Sequence, residues 1–467
     1  MATATFSPSL PGPRGLPFVG GRLNLIRLLS GSFQFMRDMH DTYGDMVAFA
    51  KGDPSYVFAF GPELNHQVLA QADVFQTSGG LLRIPKGTAI ERLLRNNLAV
   101  MNGPHHKQQR KLLQPAFHRQ QIAAYGDDMI ALTQSMLDRW QGQSEVNLIR
   151  EMKQLTQRIA VKTLFGLYDE AELDRIGGLL RKLISLSSSP LFFIAPFNVP
   201  GLPYHQLMRL GDELEAFILA AIQQKRSRPD DTDVLAAMMH VRDEDGSKLS
   251  DDEMIGHAFA LFVAGHETTS NALAWTVFLL NQHPRVAADL LDELDGVLHG
   301  EAPTLEQLGH LPLLEGVIKE SLRLLPPAGL GMRVAAKPTE LGGYALPKDT
   351  TVIYSEFITH RLPDLYPEPD RFKPERWATT NRSTYEFLPF SAGPHMCIGW
   401  AFAMQELRIV LAMLMQRYRL SLVPGTKLGV DIRMTPKPAL PMRVYPQDRQ
   451  FQRVDVRGSI HDLVDLR

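Results

Sequence analysis

Cysteine is nearly missing from this chain: one thiol, Cys397, in 467 residues. A single thiol excludes an internal disulfide and a cysteine-rich metal cage. Neither sign of charge is in excess. The formal net charge is −2, which gives no basic field suited to nucleic acid. Long apolar runs are lacking too. No stretch of about 18 consecutive apolar residues occurs, so no transmembrane anchor is expected. There is no internal repeat and no low-complexity block. With one cysteine and no signal-peptide pattern, the expected compartment is a reducing cytoplasm. What is present is an ordinary globular composition, 44% apolar and 21% charged, enough for a large core.

Periodicity predicts a mainly α protein with minor β structure and no linker dividing it. Residues 45–60 alternate as two strands around Gly52-Asp53-Pro54. Residues 78–100 read as loop with a short helix. Helices are predicted over 103–138, with a break at Pro115, and over 144–165, 169–187 and 207–226. Pro190, Pro196, Pro200 and Pro203 exclude a regular helix between the last two. The longest helical segment, 251–282, has no proline and is apolar on most faces. It should cross the interior over roughly 48 Å. Helices over 285–298 and 311–324 follow, the second stopped by Pro326-Pro327. Strands are expected at 350–354 and 441–445, and a helix from Cys397 onward. The organisation expected is a Pro/Gly-rich segment 1–21, a catalytic domain 22–446 and a C-terminal tail 447–467.

Several segments carry chemistry. Cys397 follows a Gly393-Pro394 turn and enters a helix, where the dipole favours a thiolate. A lone cysteine is more often an inert buried thiol. In Ala264-Gly265-His266-Glu267-Thr268-Thr269, a glycine inside a helix costs about 1 kcal/mol relative to alanine. Small Ala264 and Gly265 would admit a flat ligand against the backbone. A threonine hydroxyl there can bond the carbonyl one turn back. The plainer reading is a polar kink with Glu267 merely paired. His266 points to another face and is expected to pack. Glu320 and Arg323 share a helical face at i,i+3, and His106 and Arg110 at i,i+4. Taken singly, each such cation is more often a surface group.

The run Phe390-x-x-Gly393-x-His395-x-Cys397-x-Gly399, with Ala403 beyond it, resembles the haem-binding loop of cytochromes P450. The segment around Thr268, the Glu320-x-x-Arg323 pair and Phe372-Lys373-Pro374-Glu375-Arg376-Trp377 stand in that family's order. The resemblance implies a single-domain P450 fold and haem b with Cys397 as the axial iron ligand. Phe390, Gly393, Gly399 and Ala403 would shape the loop, and Ala264 and Gly265 would lie over the haem. Thr268 would steady bound dioxygen and pass it protons relayed by Glu267. His106, Arg110, Arg333 and His395 would hold the propionates. Glu320, Arg323 and Arg376 would lock the loop. His395 stands where the family usually has Arg, and Trp377 where it usually has Phe.

The implied activity is that of a soluble bacterial monooxygenase, expected to be monomeric, acting on a lipophilic small molecule. O2 is the co-substrate, with NAD(P)H electrons arriving through a ferredoxin or flavodoxin and its reductase. A peroxide-using or hydroperoxide-rearranging haem-thiolate enzyme is one alternative, and a haem-based sensor another. Pocket walls are expected from 78–100, 190–203, 259–263, 328–332 and 434–436. Lys107, Lys111 and Arg119 are a candidate docking patch for the electron donor. Residues 447–467 match nothing in the family.

Overall fold

The computed structural model describes residues 9–15, 21–29, 33–78, 84–166, 170–187, 197–228, 231–243, 246–431 and 434–467. It is a helix-rich fold with small sheets. The helices that build the site are α1 (Gly103–Leu113), α2 (Leu148–Phe165), α3 (Asp251–Gln282), α4 (Pro312–Leu324) and α5 (Trp400–Arg417).

The central crossing helix α3 has the bounds its sequence predicts. Ser250 caps it: its hydroxyl accepts from the Glu253 N–H while the Glu253 carboxylate accepts from the Ser250 N–H, satisfying two orphan donors. His283 ends it, and Pro284 opens the next helix. Gly256 lets α3 press against another segment; a Cβ there would stand 2.1 Å from the Asn96 carbonyl oxygen. From Thr269 to Leu280 every side chain is buried, as an all-round apolar helix requires.

Three boundaries differ from expectation. Residues Glu145–Asn147 are a strand paired with Pro441–Pro446, and α2 starts only at Leu148. The segment predicted as a helix over 207–226 runs Pro203–Arg226, with Pro203 at its first turn, where the missing N–H is harmless. The helix after the cysteine begins at Trp400, three residues beyond Cys397. The proline-rich 190–196 stretch lies outside the described residues.

The larger sheet joins β1 (Met46–Ala50), β2 (Asp53–Ala59), β3 (Phe75–Gln76), β4 (Gly331–Ala335) and β5 (Thr351–Tyr354) in the order β1-β2-β5-β4-β3. The β1–β2 hairpin is as expected. β2 runs parallel to β5, and β5 is antiparallel to β4 with Gly331 opposite Tyr354. Residues of the N-terminal Pro/Gly segment lie along β1: Pro11 and Pro13 carbonyls accept from the Ala48 and Lys51 N–H groups.

The tail 447–467 is docked. Val456, Ile460, Leu463, Val464 and Leu466 are buried. The Asp465 N–H donates to the Asp370 carbonyl. Arg361, itself buried, donates to the carbonyls of Leu324 (2.6 Å) and Leu463 (2.8 Å) and to Asp370 (3.0 Å).

Candidate active site

A cavity of about 340 Å³ lies between the middle of α3 and the loop ending in Cys397. Its wall is mostly apolar: Phe117, Ala160, Leu164, Leu261, Leu330 and Phe402 among others. Ala264 and Thr268 sit one turn apart and are open by area in a helix otherwise largely enclosed. The surface they show faces this cavity. Cys397 is also open by area, yet deep among protein atoms. Both hold because its sulfur opens onto the same cavity. The cysteine and the threonine, 129 positions apart in sequence, thus line one space.

The cysteine loop is fixed by local geometry. Gly393 has φ +69°, and a Cβ there would stand 2.2 Å from the Leu69 carbonyl oxygen, so glycine is required twice over. The Cys397 N–H donates to the Phe390 carbonyl at 2.9 Å, and the Ala403 N–H donates to Gly399. Arg110 donates to the Met396 carbonyl at 2.7 Å. Phe390, Gly399 and Ala403 all line the cavity. Burial pushes the thiol pKa up, against the Gly399 N–H and the Arg110 charge, which pull it down. The expected thiolate preference is outweighed by burial of the sulfur. A metal cation on the sulfur would restore the thiolate.

Two arginines, Arg110 and Arg333, and two histidines, His106 and His395, gather at one edge. The rings of His106 and His395 stack with centroids 3.9 Å apart. Burial, then His106, Arg333 and Arg110, push the His395 imidazole down to about 3. Burial, then Arg110 and Arg333, lower His106. Arg333 is buried, stands over the Tyr354 ring at 5.5 Å and donates to its neighbour's carbonyl at Met332. The His395 Nε2 is enclosed without a hydrogen-bond partner. Among the described residues no ion pair within 4.0 Å joins any of the four to a carboxylate.

The Glu320 network is complete. Arg323 donates from Nε and Nη2 to the two Glu320 oxygens at 2.9 and 2.8 Å. Arg376 Nε, the Lys373 N–H and Trp377 Nε1 add bonds at 3.0, 3.0 and 2.9 Å. Burial alone would raise the Glu320 pKa, but Arg323, Arg376 and the Lys373 N–H outweigh it and hold it low. Trp377 contributes an N–H that the family's usual Phe lacks. The link to the cysteine loop is His360, which sequence reasoning missed. Its Nε2 accepts from the Leu388 N–H at 3.0 Å, so its Nδ1 carries the proton toward the Arg323 carbonyl at 3.3 Å.

Other expectations meet different surroundings. Thr268 donates to the Ala264 carbonyl at 2.7 Å and Thr269 to Gly265 at 3.1 Å, the back-bonding the sequence suggests. The Glu267 carboxylate lies 3.3 Å from Lys153 of α2, and the residue does not line the cavity. His266 is buried against the Phe262 carbonyl. Of the expected walls, Leu261, Ala328 and Leu330 line the cavity. Met434 and Thr435 instead bond Trp275 and Asn271 on the far half of α3. Lys107, Lys111 and Arg119 are exposed, but Lys111 pairs with Asp243 at 3.0 Å. Trp400, 47% exposed just past the loop, and Glu356, a buried acid in the cavity wall, were not anticipated. Motif reading offers no signal for either.

A family model described as Cytochrome P450 matches residues 10–441. Cyclooctat-9-en-7-ol 5-monooxygenase of Streptomyces melanosporofaciens is 35% identical over 89% of this chain and 90% of its own. Pentalenene oxygenase of Streptomyces avermitilis is 30% identical over 88% and 91%. The retinoic-acid-bound structure of cyanobacterial CYP120A1 superposes with a TM-score of 0.79 at 26% identity, covering 94% of this chain and 99% of that one. Among the described residues no helix is long and apolar enough to cross a membrane. A cavity with Cys397 and Thr268 in its walls, a saturated Glu–Arg–Arg knot behind it and these matches together show that the chain belongs to the cytochrome P450 family and is a monooxygenase of that family.

Proposed function

We propose that the chain binds haem b in this cavity, with Cys397 as the residue that would hold its iron, and oxygenates an apolar carbocycle of terpenoid type. The observation that carries this is the shared cavity of Cys397, Ala264 and Thr268, walled by apolar side chains. The residues fit the cofactor. An orphaned His395 Nε2, with His106 beside it and two arginines, Arg110 and Arg333, without carboxylate partners, suits a dicarboxylate, and a sulfur open to the cavity suits a soft metal ligand. Bound haem supplies the activation of O2 with electrons delivered one at a time.

This chain's residues do the rest. Cys397 would hold the iron through its sulfur. Ala264 and Gly265 leave room for a flat ring against α3. The Thr268 hydroxyl, tethered to the Ala264 carbonyl, presents its oxygen to the cavity and hands on a proton. Glu267, beside Lys153, receives protons from the solvent side, one residue away. The apolar wall excludes water and selects a lipophilic substrate. The relatives are named for pentalenene and for a cyclooctatenol, which supports a polycyclic hydrocarbon skeleton and C–H hydroxylation or C=C epoxidation. Electrons come from a separate ferredoxin or flavodoxin system, reaching the cysteine side.

The ferrous–CO complex is expected to show the red-shifted Soret band of thiolate ligation, and Cys397→Ser to lose it. A histidine-type band in the wild type would refute the assignment. NAD(P)H-driven turnover with a surrogate ferredoxin, compared with peroxide-driven turnover, separates the monooxygenase from a peroxygenase. Spin-state shifts across a terpenoid, fatty-acid and polyketide panel identify the substrate class.

A further inference from the structure

Among the described residues lining the cavity, Glu356 is the only carboxylic acid. Its placement is rigid. β5 ends at Tyr354, and Ser355 caps the short helix Glu356–Thr359, accepting from the Ile358 N–H. The Ser355 hydroxyl and the Phe357 N–H both donate to the Gly329 carbonyl. The acid is thus pinned on either side to the 327–330 segment, which itself lines the cavity. Glu356 is 3% exposed, and its Oε2 is enclosed with no hydrogen-bond partner.

A buried carboxyl oxygen without a partner is costly unless something absent from the bare protein satisfies it. The charged and titratable groups of that region are Arg333 on β4, Tyr354 on β5 and His395 on the cysteine loop. Arg333 attracts the Glu356 charge but makes no ion pair with it within 4.0 Å among the described residues. Burial pushes the carboxyl up to about 8, against the opposing pull of its own backbone N–H and of Arg333. At neutral pH the group is an acid with an O–H to donate. Arg333 stands 5.5 Å over the ring of Tyr354, two residues before the acid, which puts its guanidinium on the same side of the cavity wall.

We propose that Glu356 is a cofactor-positioning residue, a neutral carboxylic acid that donates a hydrogen bond to a haem propionate beside Arg333. The proposal rests on the reading of this cavity as a haem site. It adds a carboxylic O–H donor to the two arginines and two histidines of that edge. It also gives the site a proton whose loss would place a negative charge next to the cofactor. That charge favours the ferric state, so the reduction potential should fall as pH rises from neutral into the mildly alkaline range.

The test uses holoenzyme and two variants, Glu356→Gln and Glu356→Leu. Haem transfer to excess apomyoglobin measures retention, and the midpoint potential is followed against pH. Glu356→Leu should release haem about tenfold faster, the loss expected for a hydrogen bond to a charged acceptor. Glu356→Gln keeps an N–H donor and should retain haem within about twofold of wild type. Its potential should lose the alkaline fall that the wild type shows. Wild-type retention in Glu356→Leu, or an unchanged pH profile in Glu356→Gln, would overturn the proposal. The ferrous–CO band is recorded for every form. A wild type without the thiolate band sinks the haem reading itself, whereas a normal band with unchanged variants sinks only the role of Glu356.

Discussion

Two sets of buried polar groups stand close together in this fold and are finished to different degrees. The Glu320 carboxylate accepts five bonds, from Arg323, Arg376, Lys373 and Trp377. The remaining Arg323 donors reach the carbonyls of His360, Pro369 and Arg371. In the cavity wall, by contrast, His395 Nε2 and Glu356 Oε2 have no partner. Arg110 and Arg333 spend single bonds on nearby carbonyls. A closed network serves the fold. An open one of the same buried character implies a ligand whose charge closes it.

The largest effect that sharpens this contrast is expected from Glu320→Gln. It would leave the buried Arg323 uncompensated and cost about 3–5 kcal/mol. Denaturant unfolding and haem content of purified protein check it; near-wild-type values would mean the network is dispensable. Next, Thr268→Ala should leave folding intact while product formed per NAD(P)H falls on the order of tenfold, with peroxide as the released species. Unchanged coupling would remove the proton role from Thr268. Trp377→Phe takes one donor from Glu320 and should cost about 1.5 kcal/mol in unfolding free energy, without altering the CO band. The smallest effect is on the surface. Lys107→Glu should slow reduction by an acidic electron donor roughly threefold at low salt, an effect that high salt erases. Lys111→Glu should do less, because Asp243 already offsets that charge. Stopped-flow reduction rates with substrate affinity held constant decide between the two.

What was legible in the sequence was what is local in it. The i,i+3 pair Glu320–Arg323, the i,i+4 spacing of His106 and Arg110, the Gly393 turn and the proline-free length of α3 all follow from spacing and turn chemistry. So does the Thr268 back-bond. Groups joined by tertiary contact were not legible. Lys153 meets Glu267 across two helices, His360 joins the Arg323 carbonyl to Leu388, and Glu356 reaches the cavity only because β5 pairs with β4. The 434–436 wall was misplaced for the same reason. Trp275 and Asn271 draw that segment to the buried end of α3, and no periodicity encodes such a choice. The thiolate preference was outweighed by burial, which one residue's place in the sequence does not reveal.

The docked tail has a consequence for how binding is felt across the molecule. Arg361 holds Leu463 of the tail with one nitrogen, and with the same nitrogen holds Leu324 at the end of α4. That helix carries Arg323, whose carbonyl His360 ties to Leu388 in the segment entering the cysteine loop. Coupling between sites is reciprocal. A cofactor that rigidifies the cysteine loop is therefore expected to tighten the tail and to protect the exposed stretch near Arg457 from a protease. Resistance of that stretch to cleavage thus reports occupancy of a cavity it never touches.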